Sequence, residues 1–561
     1  LSTKQASNQS QQGEKTIMKQ TNLKTRGSLI AAILLCTLIL VACAAPVSPG
    51  AATTSESTAE PTTTRTRLLV AGPQLATILD AHQGWDGDRM DVEQIGQALM
   101  RIDPQSGELI PDLAESWAFS EDGKTLTIKL PADAKYSNGD PLDAQALKDA
   151  WLRYKEISPF GADLEALTDI QVVDDTTINA IFANPPAALF AVLGSVYMGP
   201  WDVAAAQAVG NEAFAIAPIA SGPLTVKEYT PGSELLMARN DQYRTNLPLV
   251  QNKGPLHLQE VQMRAIPEEV TLAGELETGA VDVVMNAPAS AIDRLKANPD
   301  IQLFEASLPG YTGLVMNHQR PQFADVRVRQ AVAQALDRTA LVKVLGSVAA
   351  PQHAFLNQAM AAYSPEMESY AQERYAYNVE AAKATLAEVG WTDSDNDGIV
   401  EKDGAPFTVE LLVDANNTAL QLASQVVQTQ LKAIGIDAQI SQQEPNAMRE
   451  TMIAGDYDMG FDTIGWPDPD IFSLAFAADF WNFAKYNNPD SVEKMNVARY
   501  LLDPSERSAA YAELQKIWLE DVVEIPLWQR KYYVAARNWV KGLVVNPVTG
   551  LVYLNDVTIE E

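Results

Sequence analysis

The chain is 561 residues long, which at about 100–200 residues per domain makes two to four domains. Its 47% apolar and 20% charged residues are those of a folded globular protein, and 72 acidic against 41 basic residues, a formal charge of −31, exclude a nucleic-acid grip built on clustered Lys and Arg. Two cysteines and four scattered histidines (His82, His257, His318 and His353) exclude a disulfide scaffold, a cysteine-built zinc or iron–sulfur centre and a His-Glu-x-x-His metal site.

In chain order, residues 1–17 are polar and read as an upstream extension, with Met18 as the expected start. Lys19, Lys24 and Arg26 then precede the uncharged run Gly27 to Ala42. Such a run makes about 24 Å of helix, short of the roughly 30 Å hydrocarbon core, so residues 18–43 are expected to be a secretory signal. It closes on Leu40-Val41-Ala42-Cys43, similar to a bacterial lipobox, in which the cysteine becomes the lipidated first residue of the mature protein. The competing reading is a plain membrane anchor. Residues 44–66 are rich in Ala, Thr, Ser and Pro and are expected to be a disordered tether. Residues 1–43 carry five basic residues and one acidic one, so the body is more acidic than the whole chain. Acyl chains rather than a basic patch are then expected to hold it at the membrane.

From Arg67 onward, short strand-like and longer helix-like segments alternate, which predicts mixed α/β architecture. Leu126 to Leu130 alternate apolar and polar after the turn Glu121-Asp122-Gly123-Lys124, as in a half-buried strand. Asp143 is placed to cap a helix through Ala146, Leu147, Ala150 and Trp151. Val328, Ala331, Val332, Ala335, Leu336, Val342 and Leu345 recur at helical spacing and predict one helix from Asp325 to Gly346. Asp393-Ser394-Asp395-Asn396-Asp397-Gly398-Ile399 opens like a calcium loop, with Asp393, Asp395, Asp397, Ile399 and Glu401 as candidate ligand positions. Its twelfth position is Gly404, where an EF-hand places Glu, so the alternative is a metal-free Asx-rich turn. A further helix is predicted from about Asn417 to Ile434, closed by Gly435. No Gly-x-Ser-x-Gly, phosphate loop or dinucleotide fingerprint stands out, so no catalytic residue is assigned and no enzyme is expected. The cofactor expectation is none, apart from structural calcium in that loop.

Several segments resemble a known family when taken together. Ile110-Pro111-Asp112-Leu113-Ala114-Glu115-Ser116-Trp117 continues through Asp122-Gly123-Lys124 to Lys135-Tyr136-Ser137-Asn138-Gly139-Asp140-Pro141-Leu142-Asp143-Ala144. Ser221-Gly222-Pro223, Arg239-Asn240-Asp241-Gln242-Tyr243 and Gly279-Ala280-Val281-Asp282-Val283-Val284 follow. Then come Asn317, Pro321-Gln322-Phe323-Ala324-Asp325-Val326-Arg327-Val328-Arg329-Gln330-Ala331, Gly455-Asp456-Tyr457-Asp458 and Ile525-Pro526-Leu527. The ordered set, over roughly residues 68–545, resembles the large peptide-type substrate-binding lipoproteins of ABC importers (the oligopeptide, dipeptide and nickel receptors, solute-binding family 5).

The resemblance implies an α/β, two-lobed periplasmic-binding-protein-like fold with an additional domain and a hinge between lobes. Residues 67–105, 219–308 and 524–561 would form lobe I, 106–218 the additional domain and 309–523 lobe II, with Asn317 and Phe323-Ala324-Asp325 where the lobes cross. It also implies an extracytoplasmic, lipid-anchored receptor, monomeric, that closes on a peptide and delivers it to a permease. The alternatives are an oligosaccharide or other small solute as ligand, or a sensor that docks a membrane signalling partner.

Candidate site residues come from the same likeness. Gly465-Trp466-Pro467-Asp468-Pro469-Asp470 matches the neighbourhood that in peptide receptors carries a tryptophan wall and an aspartate for the peptide's amino group. The aspartate there follows the tryptophan by three positions; here that position is Pro469, with Asp468 and Asp470 on either side. A buried carboxylate facing an ammonium would make a charge-assisted bond; the alternative is a Pro-Asp-Pro turn that caps the following helix. Trp466 is a ligand wall or a core filler, Trp85 a second aromatic face or a loop anchor, and Tyr136 a weaker candidate beside Asn317.

Overall fold

The fourteen-residue strand Glu524–Arg537 belongs to two halves of one large sheet. Its first residues pair with Tyr311–Met316, and its later ones with Ile301–Ser307 and Val283–Val284. Beyond Tyr311–Met316 lie Met459–Ile464, Thr408–Asp414 and Asp437–Gln443 in spatial order. Beyond Val283–Val284 lie Arg67–Gly72, Glu260–Ala265, Glu234–Arg239 and Leu224–Thr230. In this computed structural model the described residues are 65–84, 89–105, 107–478 and 481–560. The signal, Cys43, the tether up to residue 64 and Trp85 lie outside them.

Each half of the sheet has its own core. One runs from Tyr311 to Trp528 and centres on Phe355, Phe472, Phe476 and Trp518, whose ring centroids stand 5.0–5.9 Å apart. Burying each such ring contributes roughly 1.5–3 kcal/mol. The other draws on residues 68–285 and 534–559. It includes Leu126, Ile128 and Ile178 of a separate four-stranded antiparallel sheet (Ser116–Phe119, Thr125–Lys129, Thr177–Phe182, Leu167–Asp174). The architecture is thus α/β with two lobes, and the smaller sheet shares its core with one of them.

Local signals explain most elements. The alternating stretch is strand Thr125–Lys129, and Asp143 accepts the Ala146 N–H at 2.9 Å to start helix Ala144–Ile157. Asn417 caps Thr418–Lys432 in the same way, and Gly435 follows it with φ +83°. The single helix expected from Asp325 to Gly346 is instead two, Val326–Ala335 and Arg338–Leu345. Asp337 breaks it: its carboxylate takes the N–H groups of Thr339 and Ala340 and starts a second helix on the same core.

The chain crosses between the sheet halves at residues 308–310 and again within Glu524–Arg537. Leu308 N–H donates to the Arg530 carbonyl at 3.0 Å, and Asn357 Nδ2 donates to the carbonyls of Leu308 and Gly310. Gly310, at φ +83°, sits so close to the Ile464 carbonyl that no side chain fits. The crossing therefore lies at the drawn boundary between 308 and 309 and precedes Asn317 and Phe323-Ala324-Asp325, which were expected to stand at it. Asn317 instead lies at the far end of its strand, with Nδ2 bonded to the carbonyls of Gly455 and Tyr457.

Candidate functional site

Strand Met459–Ile464 is held between Tyr311–Met316 and Thr408–Asp414 and delivers Gly465 and Trp466 to the junction of the lobes. Ile464 and Phe472, on either side along the chain, belong to the core that runs from Tyr311 to Trp528. Trp466 is half-buried and packs against the opposite core. Its indole therefore reaches from one lobe onto the other. Gly465 makes room beside it, because Arg530 Nη2 lies 2.6 Å from where a Cβ would stand. Arg530 comes from the crossing strand and was not singled out in the sequence, since nothing nearby in the chain marks it as a junction residue.

Both aspartates of the segment are held by arginines. Asp468 is 2% exposed and receives Arg507 Nη1 at 2.7 Å and Nη2 at 2.8 Å. Its Oδ1 also accepts the Asp470 N–H at 2.8 Å. Burial works to lower the Arg507 pKa, but the Asp468 charge and hydrogen bond, with Tyr511 and Asp470, together outweigh it and hold the guanidinium above its ordinary value. Asp470 accepts Arg499 Nη2 and the Ser473 hydroxyl, each at 2.8 Å, next to helix Ile471–Ala477. The Pro-Asp-Pro turn is thus braced by two ion pairs.

Tyr136 is 3% exposed within the core that contains the smaller sheet, its hydroxyl buried without a hydrogen-bond partner. Burial, and then the Asp202 charge, push its pKa up. Asn317 is 1% exposed; its Oδ1 accepts the Gln319 N–H, so its amide serves the local turn at both ends. The structure therefore brings Trp466, Asp468 and Asp470 together and sets Tyr136 and Asn317 elsewhere.

A carboxyl pair went unnoticed in the sequence. The strands on either side of Tyr311–Met316 place Asp462 opposite Gly313 and Glu524 opposite Val315. Glu524 is 2% exposed, accepts the Tyr311 hydroxyl at 2.9 Å on Oε2, and has no hydrogen-bond partner on Oε1. Burial, and then the Asp462 charge, raise its pKa well above the ordinary value. Burial also pushes Asp462 up to about 6, against the Thr463 N–H and Trp481 Nε1 bonds that favour its charged form. The signal was there: an acid within the apolar runs Phe461-Asp462 and Glu524-Ile525.

In the acidic loop, carboxylate oxygens of Asp393, Asp395, Asp397 and Glu401 all lie within 4.8 Å of one another. That spread fits a single ion with oxygen ligands at about 2.3–2.6 Å. Asp393, Asp395 and Asp397 also accept the N–H groups of Gly398, Asp397 and Ile399, which folds the loop on itself. Among the described residues no helix is long and apolar enough to cross a membrane.

With this geometry in hand, comparison with known proteins is direct. The chain is 25% identical over 504 residues to the oligopeptide-binding protein AppA of Bacillus subtilis, covering 86% of this chain and 89% of that one. It is 26% identical over 471 residues to the periplasmic oligopeptide-binding protein OppA of Escherichia coli, covering 78% and 82%. Among solved structures, NikA from Brucella suis in complex with Fe(III)-EDTA superposes with a TM-score of 0.77 at 21% identity, over 88% of this chain and 100% of that one. Residues 108–483 match the model of the bacterial extracellular solute-binding proteins, family 5. The lobes, the junction between them and that match agree: the chain belongs to the family 5 extracellular solute-binding proteins, which are receptors and not catalysts.

Proposed function

We propose that this receptor captures a peptide between its two lobes and delivers it to the permease of an ABC importer, with Trp466 as one wall of the cleft. The observation that carries the reading is the indole of Trp466, which leaves one lobe and packs on the core of the other. An enclosed site of this kind needs an apolar face with a few placed polar groups, and ligand contacts with both lobes favour the closed form over the open one. The peptide class rests on the relatives named for oligopeptide binding. Trp85, outside the described residues, is proposed as a second aromatic face. The receptor acts as a monomer at the outer face of the membrane, anchored by lipid on Cys43, and its acidic loop takes up calcium as a stiffening ion.

One observation favours a second ligand class. Asp468 and Asp470 already carry arginine partners, so neither is free to meet a peptide's amino group. A solute without a free amine, such as a sugar or a metal chelate, fits that arrangement. Native mass spectrometry of the purified body, before and after mild denaturation, separates the two. A ladder of short peptides is expected; one discrete sugar or chelate overturns the peptide reading and keeps the receptor.

A further inference from the structure

Segments far apart in the chain line a partly open cavity of about 20 Å³, part polar and part apolar: residues within 93–101, Asp112, Pro223, Tyr243, Leu247 and residues within 551–555. One water molecule needs roughly 10–15 Å³. The cavity lies within the lobe that holds the chain's C-terminal strands and contains none of the residues assigned above to the cleft.

Its walls are buried and their orientation is fixed. Gln97 Nε2 donates to Asp112 Oδ1 at 3.0 Å and to the Arg244 carbonyl at 2.9 Å. Gln94 Nε2 donates to the Val552 carbonyl at 2.9 Å. Each amide is thus locked by its nitrogen, yet neither Oε1 has a hydrogen-bond partner, although the residues are only 4% and 3% exposed. The Tyr553 hydroxyl is a third buried group; Asn546 lies near it, but no hydrogen bond of normal geometry forms. A buried polar group left unpaired costs about 1–3 kcal/mol, so each of the three needs a partner, and all three belong to residues that line this one space.

We propose that this cavity is a binding site for one ordered water molecule, which donates to Gln94 Oε1 and Gln97 Oε1 and accepts from the Tyr553 hydroxyl. Two donors and an acceptor are what water supplies. An anion would face two amide oxygens, and an apolar occupant would leave all three groups unpaired. A cation finds little free charge, because Glu93 and Asp112 both pair with Arg101, at 2.7 and 3.0 Å, and Asp112 also accepts the Thr245 hydroxyl at 2.7 Å. The water joins the stretch at 94–97 to the C-terminal residues 552–553.

The test is a crystal structure of the folded body at a resolution that shows ordered water, from crystals grown with and without rubidium chloride. A single peak about 2.7–3.2 Å from the three oxygens, with no anomalous signal after rubidium exchange, is expected. An empty cavity, or a peak that takes up rubidium, overturns the proposal. In solution, oxygen-17 relaxation dispersion counts long-lived internal waters. Gln97→Met, which fills the space, is expected to lose one relative to wild type, and Tyr553→Phe to keep it with faster exchange. An unchanged count in a folded Gln97→Met protein overturns the proposal as well.

Discussion

Asp468 lies at 2% exposure, where burial raises its pKa and the Arg507 guanidinium beside it works against that rise. A buried pair of this kind adds little over an apolar substitute, but breaking it leaves the survivor charged and unpaired, which costs about 3–5 kcal/mol. Asp468→Asn is therefore expected to lower the unfolding free energy by about that amount in urea titrations at neutral pH. A change within 1 kcal/mol, together with a loss of ligand affinity, would instead make Asp468 a ligand partner. Asp462 is governed by burial in the opposite sense. The folded chain keeps its proton up to about pH 6, while the unfolded chain loses it near the ordinary value of 3.8. Between those values the folded state binds more protons, so stability falls as pH rises, and the loss is complete above about 6. Asp462→Asn has no proton to lose. Its stability relative to wild type is expected to grow from pH 4 to pH 6 and then level off; a difference that is flat with pH sinks the assignment. The partner of Asp468 was not legible in the chain, because it stands 39 residues away; Asp462 left only the sign of an acid in an apolar strand, since the strands that pack beside it come from distant segments.

At the scale of elements, what was legible followed from local chemistry. Caps at Asp143 and Asn417 and the closing Gly435 mark their helices within a few residues, since the groups they satisfy are neighbours in sequence. The failure at Asp337 is instructive: apolar spacing continues through it because both helices bury onto one core, and periodicity alone does not see the break. Asn317 and Phe323-Ala324-Asp325 were set at the crossing, although the boundary drawn between 308 and 309 lies on it, for a similar reason. Residues 308–310 look like an ordinary turn until the pairing of Glu524–Arg537 shows that the strands before and after them join different halves of the sheet. The carboxylate cluster of Asp393, Asp395, Asp397 and Glu401 was readable because all four fall within nine residues. Calcium binding there is expected to raise the melting temperature in a concentration-dependent way, with about 2.7 kcal/mol gained at a hundredfold excess over Kd. Asp395→Asn is expected to abolish the rise, as read by thermal scans with calcium and with chelator. An identical rise in the variant would place the ion elsewhere.

At the scale of the whole molecule, function depends on how firmly the two lobes meet, and the smaller sheet takes part in that meeting. The turn at Gly123, between strands Ser116–Phe119 and Thr125–Lys129, lies against Leu502, which stands between helices Pro489–Ala498 and Pro504–Asp521 of the other lobe. A Leu502 methyl comes within 2.5 Å of where a Gly123 Cβ would stand, so a bare glycine permits the approach. Neither residue belongs to the Trp466 segment. If ligand holds the lobes shut, its apparent affinity scales with the fraction of molecules able to close, and contacts of this kind set that fraction. Leu502→Asp removes an apolar contact worth about 1 kcal/mol and puts a charge beside Gly123-Pro185, so affinity is expected to fall about fivefold or more. Trp466→Ala, which removes the proposed wall of the cleft, is expected to cost more. Small-angle scattering distinguishes the two causes. Ligand-free Leu502→Asp should show a larger radius of gyration than ligand-free wild type, and saturating ligand should bring both to the same value. Unchanged affinity and scattering in a folded Leu502→Asp protein would mean that the smaller sheet merely rests against the other lobe, and that closure is decided at the Trp466 junction alone.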